Sequence, residues 1–68
     1  MTAPLANRLA LAAEGAYRAA GIALLDGRVE LALRLNGEGD DYMAQALEEW
    51  NEAAHRAMFA YLAREDAA

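Results

Sequence analysis

Residues 22–35, IALLDGRVELALRL, decide the shape of the chain because an Asp-Gly pair stands between two apolar runs. Asp-Gly between alternating apolar residues is typical of a two-residue β-hairpin. The residues after the pair are mostly Leu, Ala, Arg and Glu, which favour helix, and Val29 is the only β-branched residue among them. We therefore predict a helix that continues through Asp26-Gly27 or bends there, with a β-hairpin as the alternative.

The second half of the chain has the clearest helical periodicity. Its apolar residues recur at spacings of three and four, and Glu, Gln and Arg fall on the opposite side. Upstream, Asn36-Gly37 is typical of a helix C-terminus, and Asp40 or Asp41 would serve as the next N-cap. The pattern predicts a helix over 4–25, a bend, a helix over 28–35, a turn over 36–40 and a long helix over 41–64.

The first helix has a stripe of small residues, including Ala13 and Ala23, that would let another helix approach closely. A second apolar line lies on its other side, so this helix is expected to have more than one neighbour. We predict an all-α helical hairpin, its first arm bent near Asp26-Gly27, packed as a homodimeric helical bundle. The residues assigned to the core or the dimer interface are Leu9, Ala16, Ala20, Met43, Leu47, Trp50, Ala54, Met58 and Tyr61.

Length and composition also favour self-association. The 68 residues form one small domain over 1–68, and 57% of them are apolar, but 19 of these are alanines. A buried alanine removes little surface from water, so the core of a single chain buries little apolar area for its size. The chain has no cysteine, so a disulfide cannot compensate, and we expect a homodimer.

The charge is unevenly distributed. The net charge of −5 divides into +1 over residues 1–34 and −6 over residues 35–68. This balance argues against direct binding of nucleic acid, although an acidic half could imitate one. The sequence has no run long enough to span a membrane and no signal-peptide pattern, so we expect a soluble cytoplasmic protein that does not bind membranes.

The side chains that carry out catalysis are scarce. The chain has no serine and no cysteine, its only histidine is His55, and Thr2 is its only aliphatic hydroxyl. Acid–base or nucleophilic catalysis therefore has almost no suitable groups, and we predict that the protein is not an enzyme and has no cofactor.

Two patterns that resemble metal sites fail on geometry. Glu52 and His55 have the Glu-x-x-His spacing of di-iron bundles, but they lie opposite the apolar stripe and should face solvent. The acidic, Gly-rich segment 36–48 resembles a calcium loop, yet Asp41 stands where the turn glycine should be and Leu47 where the bidentate Glu should be. We predict no metal site.

The remaining candidate is a protein-binding surface. Phe59 stands among charged residues, and aromatic and Arg side chains together are typical of interface hot spots. The residues assigned to partner binding are Arg34, Tyr42, Glu49, Glu52, Arg56 and Phe59.

By elimination, we predict a small regulatory protein that binds another protein and inhibits or modulates it, as phage or mobile-element anti-host factors do. One alternative is a structural or assembly subunit. The other is an acidic nucleic-acid mimic that blocks a DNA-binding protein. Its phosphate-like residues would be Glu38, Asp40, Asp41, Glu48, Glu49 and Glu52.

Overall fold

A computed structural model describes residues 4–67, and their side chains as far as Glu65, as two packed α-helices joined by a short turn. Helix α1 is Pro4–Leu25 and helix α2 is Val29–Ala67. The molecule is a rod of 62 × 14 × 12 Å. The predicted all-α helical hairpin is confirmed, and Thr2 lies outside the described residues.

The turn between the helices is made by Asp26, Gly27 and Arg28. Gly27 has a φ of 78°, the left-handed conformation that glycine adopts without a steric penalty. The Arg28 amide donates to the Ala23 carbonyl at 2.8 Å, and the Gly27 amide donates to Leu24 at 3.0 Å. These two bonds form a Schellman motif, which ends α1 and reverses the chain. The Asp-Gly pair is therefore neither a bend within a helix nor a β-hairpin turn.

Helix α2 runs without interruption through the segment that was predicted to be a turn. The turn over 36–40, the separate helices over 28–35 and 41–64, and the N-cap at Asp40 or Asp41 are all wrong. Asn36, Gly37 and Gly39 are individually unfavourable in a helix, but such preferences amount to about 1 kcal/mol or less per residue. Packing against α1 overrides them.

The two helices meet along small residues spaced seven apart. Each side chain in this small-residue seam is buried, and Ala13 and Ala46 have no exposed surface. Because no side chain in the seam is larger than a methyl group, the two backbones can approach closely. The seam consists of Ala6, Ala13 and Ala20 on α1 and of Ala32, Gly39 and Ala46 on α2.

Gly39 belongs to this seam because Tyr17 of α1 occupies the space beside it. A Cβ placed on Gly39 would lie 2.7 Å from one ring carbon of Tyr17 and 2.8 Å from another. The Tyr17 hydroxyl also donates a hydrogen bond of 2.6 Å to Oδ1 of Asp40. Gly39 and Asp40 thus form a socket for the Tyr17 ring within α2.

Burial within the described chain is confined to small side chains. The buried apolar residues are all alanines, and no large side chain is fully buried. Leu9, Leu31, Leu35 and Met43 are half-buried at the edges of the contact. Each buried alanine contributes little transfer free energy, so a single hairpin has a modest hydrophobic stabilisation.

Helix α2 is much longer than α1. The Tyr17–Asp40 bond fixes the antiparallel register, so Pro4, thirteen positions before Tyr17, lies beside residue 53 of α2. Residues 54–67, which we call the overhang, extend about 21 Å past the start of α1 at 1.5 Å per residue. Neither helix is apolar over a length that could cross a membrane.

Candidate protein-binding surface

Five apolar residues form an exposed line along the second half of α2, which we call the α2 stripe. Its members are Leu47, Trp50, Ala54, Met58 and Tyr61. They follow one another at spacings of three and four, so they lie on one side of the helix. Trp50 is 36% exposed, and Met58 and Tyr61 are more than half exposed. These side chains are not the core of the hairpin, and their assignment to a dimer interface stays a prediction.

The other residues assigned to the core or dimer interface lie in the paired part of the molecule. Ala20 is buried in the small-residue seam, and Leu9, Ala16 and Met43 are half-buried beside it. The same assignment therefore covers two surfaces. One lies between the helices of one chain, and the other faces outward.

On the opposite side of α2 lies a second surface, the acidic-aromatic face, formed by Tyr42, Glu49, Glu52, Arg56 and Phe59. Its last three residues lie about 140–160° around the helix axis from Ala54. Phe59 is 70% exposed. Beside it, Nη1 of Arg56 lies 3.9 Å from Oε2 of Glu52, and both side chains are largely exposed. An exposed pair of this kind contributes about 0.3–0.5 kcal/mol to helix stability.

Arg34 lies nearer to the turn than the other five residues assigned to partner binding. It is eight residues before Tyr42, or about 12 Å along the axis. It lines a shallow groove near the turn together with Arg28, Val29, Glu30 and Leu31. Arg34 lies five helical turns before Glu52 and therefore on the same side of α2, and the assignment of these six residues to partner binding stays a prediction.

The socket of Tyr17 is the most specific polar contact among the described residues, and no pattern in the sequence pointed to it. Its hydrogen bond to Asp40, together with partial desolvation and the negative charge of Asp40, raises the pKa of Tyr17 above its usual value. The seven-residue spacing of Ala32, Gly39 and Ala46 was the one indication that Gly39 faces another helix.

A second apolar surface lies at the turn end of the rod, and the sequence indicated only part of it. Leu24, Leu25 and Leu33 are more than half exposed there. Tyr17, Gly21, Leu24, Val29 and Leu33 line a groove of about 310 Å³ with Ala20, Ala32 and Asn36. Leu25 belongs to the second apolar line predicted on α1, together with Leu11 and Ile22, and Val29, which was placed on the same line, begins α2 instead.

The geometry offers little to catalysis or metal binding. No three His, Asp or Glu side chains among residues 4–65 come together in a way that could hold a metal ion. His55 and Glu52 are exposed, and Glu52 pairs with Arg56 instead. The segment 36–48, considered as a calcium loop, is helical throughout.

No protein-family model matches the chain, and no curated protein or solved structure is significantly similar to it.

Proposed function

We propose that the protein is a small non-enzymatic regulator that works as a homodimer, binds another protein and inhibits or modulates it. The observation that carries this proposal is the division of α2 into two opposite surfaces. The α2 stripe is apolar, and the acidic-aromatic face combines an exposed Phe59 with the charges of Glu52 and Arg56. One helix can therefore bind a second copy on one side and a different protein on the other.

The proposed mechanism is occlusion of a functional surface on the partner. A continuous helix of 39 residues is a stiff element that presents its side chains at fixed spacings. Phe59 would enter an apolar pocket of the partner, and Arg56 and Glu52 would bind at the rim of that pocket. Interface hot spots commonly have this arrangement of an apolar centre and a polar rim. Arg34, five helical turns before Glu52, would extend the same side of α2 toward the turn.

The setting of a phage or mobile-element anti-host factor is part of the same proposal. It is supported by the scarcity of groups suited to nucleophilic catalysis, since the sequence has no serine and no cysteine. A cytoplasmic site of action and a cellular protein as the target follow from that setting and are proposed with it.

The experiment is a pull-down from nuclease-treated host lysate with wild-type protein and two variants. Phe59→Ala combined with Arg56→Glu changes the acidic-aromatic face, and Leu11→Ala changes an exposed apolar residue on the outer side of α1. We expect one dominant protein to bind the wild type and Leu11→Ala and to be lost with the double variant. Circular dichroism checks that helicity is unchanged. Equal capture by all three would contradict the assigned face.

A second candidate function, the nucleic-acid mimic, is supported by a row of carboxylates. Glu38, Asp41, Glu48, Glu49 and Glu52 lie on one side of α2 over about 21 Å. Asp40 does not belong to this row, since it accepts the Tyr17 hydrogen bond on another side of the helix.

Salt dependence distinguishes the two candidates. Binding of a mimic to a DNA-binding protein depends on ion pairs and should collapse at moderate salt, because mobile ions screen exposed charges. Binding anchored by Phe59 should survive at the same salt concentration.

A further inference from the structure

The geometry points to one arrangement of the homodimer, in which a second copy lies antiparallel on the α2 stripe with Ala54 at the two-fold axis. Each overhang then lies along the paired part of the other copy. This inference rests on the homodimer proposed above and adds its interface and its orientation.

The overhang has no helix of its own chain packed against it. Its fourteen residues extend past α1, and most of the stability of a helix in a protein comes from the packing of its apolar side rather than from local propensity. Within the overhang, Met58 and Tyr61 expose more than half of their surface on the same side as Ala54 and Ala57. A second helix on this side would stabilise the overhang as a helix and remove these side chains from water.

The spacing of the stripe is that of a helix–helix seam. Side chains at steps of three and four residues lie on one side of a helix, where they can pack against another helix. The steps of the α2 stripe are three, four, four and three through Leu47, Trp50, Ala54, Met58 and Tyr61, and this order is symmetric about Ala54. A self-complementary seam of this kind fits a second copy of the same helix.

Asp40 favours the antiparallel orientation. It lies seven residues before Leu47 and therefore continues the same side of α2. In a parallel, in-register pair, the two Asp40 carboxylates would face each other in the seam, and like charges there are destabilising. In the antiparallel pair centred on Ala54, Asp40 lies at the end of the seam, beyond the apolar contacts.

The sizes of the facing side chains and the packing of each overhang also favour the antiparallel orientation. Around an axis at Ala54, Leu47 of one copy lies opposite Tyr61 of the other, and Trp50 lies opposite Met58. The small Ala54 at the centre lets the helices approach. Each overhang also meets a stretch of the other α2 that still has α1 beside it, so it gains two helical neighbours instead of one.

The available area is adequate for a dimer. Half-exposed side chains of this size each leave on the order of 100 Å² to bury. Leu47, Trp50, Met58, Tyr61 and Leu62 in two copies therefore supply on the order of 1,000 Å², which is close to the lower limit for a specific interface. The acids Glu48, Glu49 and Glu52 lie on the opposite side of α2, so the net charge of −5 is kept away from the seam.

The experiment uses two single-cysteine variants of the full chain, which has no cysteine of its own. Ala54→Cys and Ala57→Cys are the same change on the same side of α2. In the antiparallel dimer, the two copies of residue 54 meet at the axis, whereas the two copies of residue 57 are offset by about 9 Å along it. A disulfide needs Cα atoms within about 7 Å, so we expect about tenfold more covalent dimer for Ala54→Cys under mild oxidation.

Light scattering on the wild type measures the homodimer itself, independently of the crosslinks. Equal crosslinking of both variants, as in a parallel dimer or in an antiparallel dimer centred between residues 54 and 57, would overturn the axis at Ala54. A two-chain mass without crosslinking at residue 54 would place the interface elsewhere and also overturn it. A one-chain mass at all concentrations would overturn the homodimer and this interface together.

Discussion

The part of α2 that packs against α1 and the overhang belong to one helix, but the apolar residues that they present differ in size. Toward α1, the paired part presents Ala32, Gly39 and Ala46, whose small size allows close contact. The overhang presents Met58 and Tyr61 to solvent. Small residues therefore line the contact of the chain with itself, and large apolar residues remain exposed on the overhang. Hydrophobicity alone does not separate these two roles, whereas side-chain size and spacing do.

The largest effect is expected from charges placed in the α2 stripe. Trp50→Glu combined with Met58→Glu should weaken the homodimer by about 1,000-fold or more, because the dimer loses four large side chains that contribute roughly 1 kcal/mol or more each. Sedimentation equilibrium measures this change. Phe59→Glu is the matched control, since Phe59 lies on the opposite side of α2, and it should leave the dimer intact. If the control dissociates as readily as the double variant, the stripe is not the interface.

A smaller effect is expected inside the small-residue seam. Ala46→Leu should reduce the free energy of unfolding by about 1–3 kcal/mol, because the added side chain forces the helices apart. Ala44→Leu, two residues earlier and exposed, should change it by about 0.5 kcal/mol or less. Urea unfolding followed by circular dichroism measures both variants. Equal stability of the two would mean that α1 does not pack on this side of α2.

The two neighbouring glycines of α2 should respond in opposite directions to the same change. Gly37→Ala meets open space and should stabilise the protein by about 0.5–1 kcal/mol through better helix propensity. Gly39→Ala places a methyl group against the rigid Tyr17 ring, which must leave its socket. We expect the free energy of unfolding of Gly39→Ala to be lower than that of Gly37→Ala by about 1–3 kcal/mol, measured by thermal or urea unfolding. Equal stabilisation by both changes would contradict the socket.

The smallest effect is a pH dependence from Tyr17. Its folded-state pKa is raised above the usual 10.0, so the neutral phenol is favoured by folding. This stabilisation is complete below pH 10.0 and is lost as the pH rises through the folded-state pKa. Tyr17→Phe should therefore lower the melting temperature at neutral pH, with the difference shrinking in alkali.

Absorbance titration tests the same contact directly. The difference between wild type and Tyr17→Phe near 295 nm reports the ionisation of Tyr17 alone, and we expect its midpoint above 10.0. A midpoint at or below that value would show that the hydrogen bond to Asp40 does not favour the phenol.

The sequence predicted that the chain is a helical hairpin but misplaced its turn. Asn36, Gly37, Gly39 and the following aspartates are typical of a helix break, and local preference alone gives no reason to continue α2 through them. The reason is tertiary, because Gly39 leaves room for a ring on another helix. Asp26-Gly27 is the turn because a left-handed glycine there completes the cap of α1.

The positions of the candidate surfaces on α2 were predicted from the sequence, but their exposure was not. Periodicity placed the α2 stripe and the acidic-aromatic face on opposite sides of the helix, since spacings of three and four define both. It could not show that the stripe is uncovered, because that depends on where α1 begins relative to α2. The Tyr17–Asp40 contact joins residues 23 positions apart, and such a contact has no local pattern in the sequence.

The central claim is that a second copy covers the overhang, and amide hydrogen exchange over residues 54–65 tests it most directly. The exchange should be measured by mass spectrometry over a wide range of protein concentration, with light scattering at each point. We predict slow exchange where the mass is that of two chains and fast exchange on dilution to one chain, while residues 10–23 of α1 change less. Fast exchange of residues 54–65 in a confirmed dimer would contradict the claim.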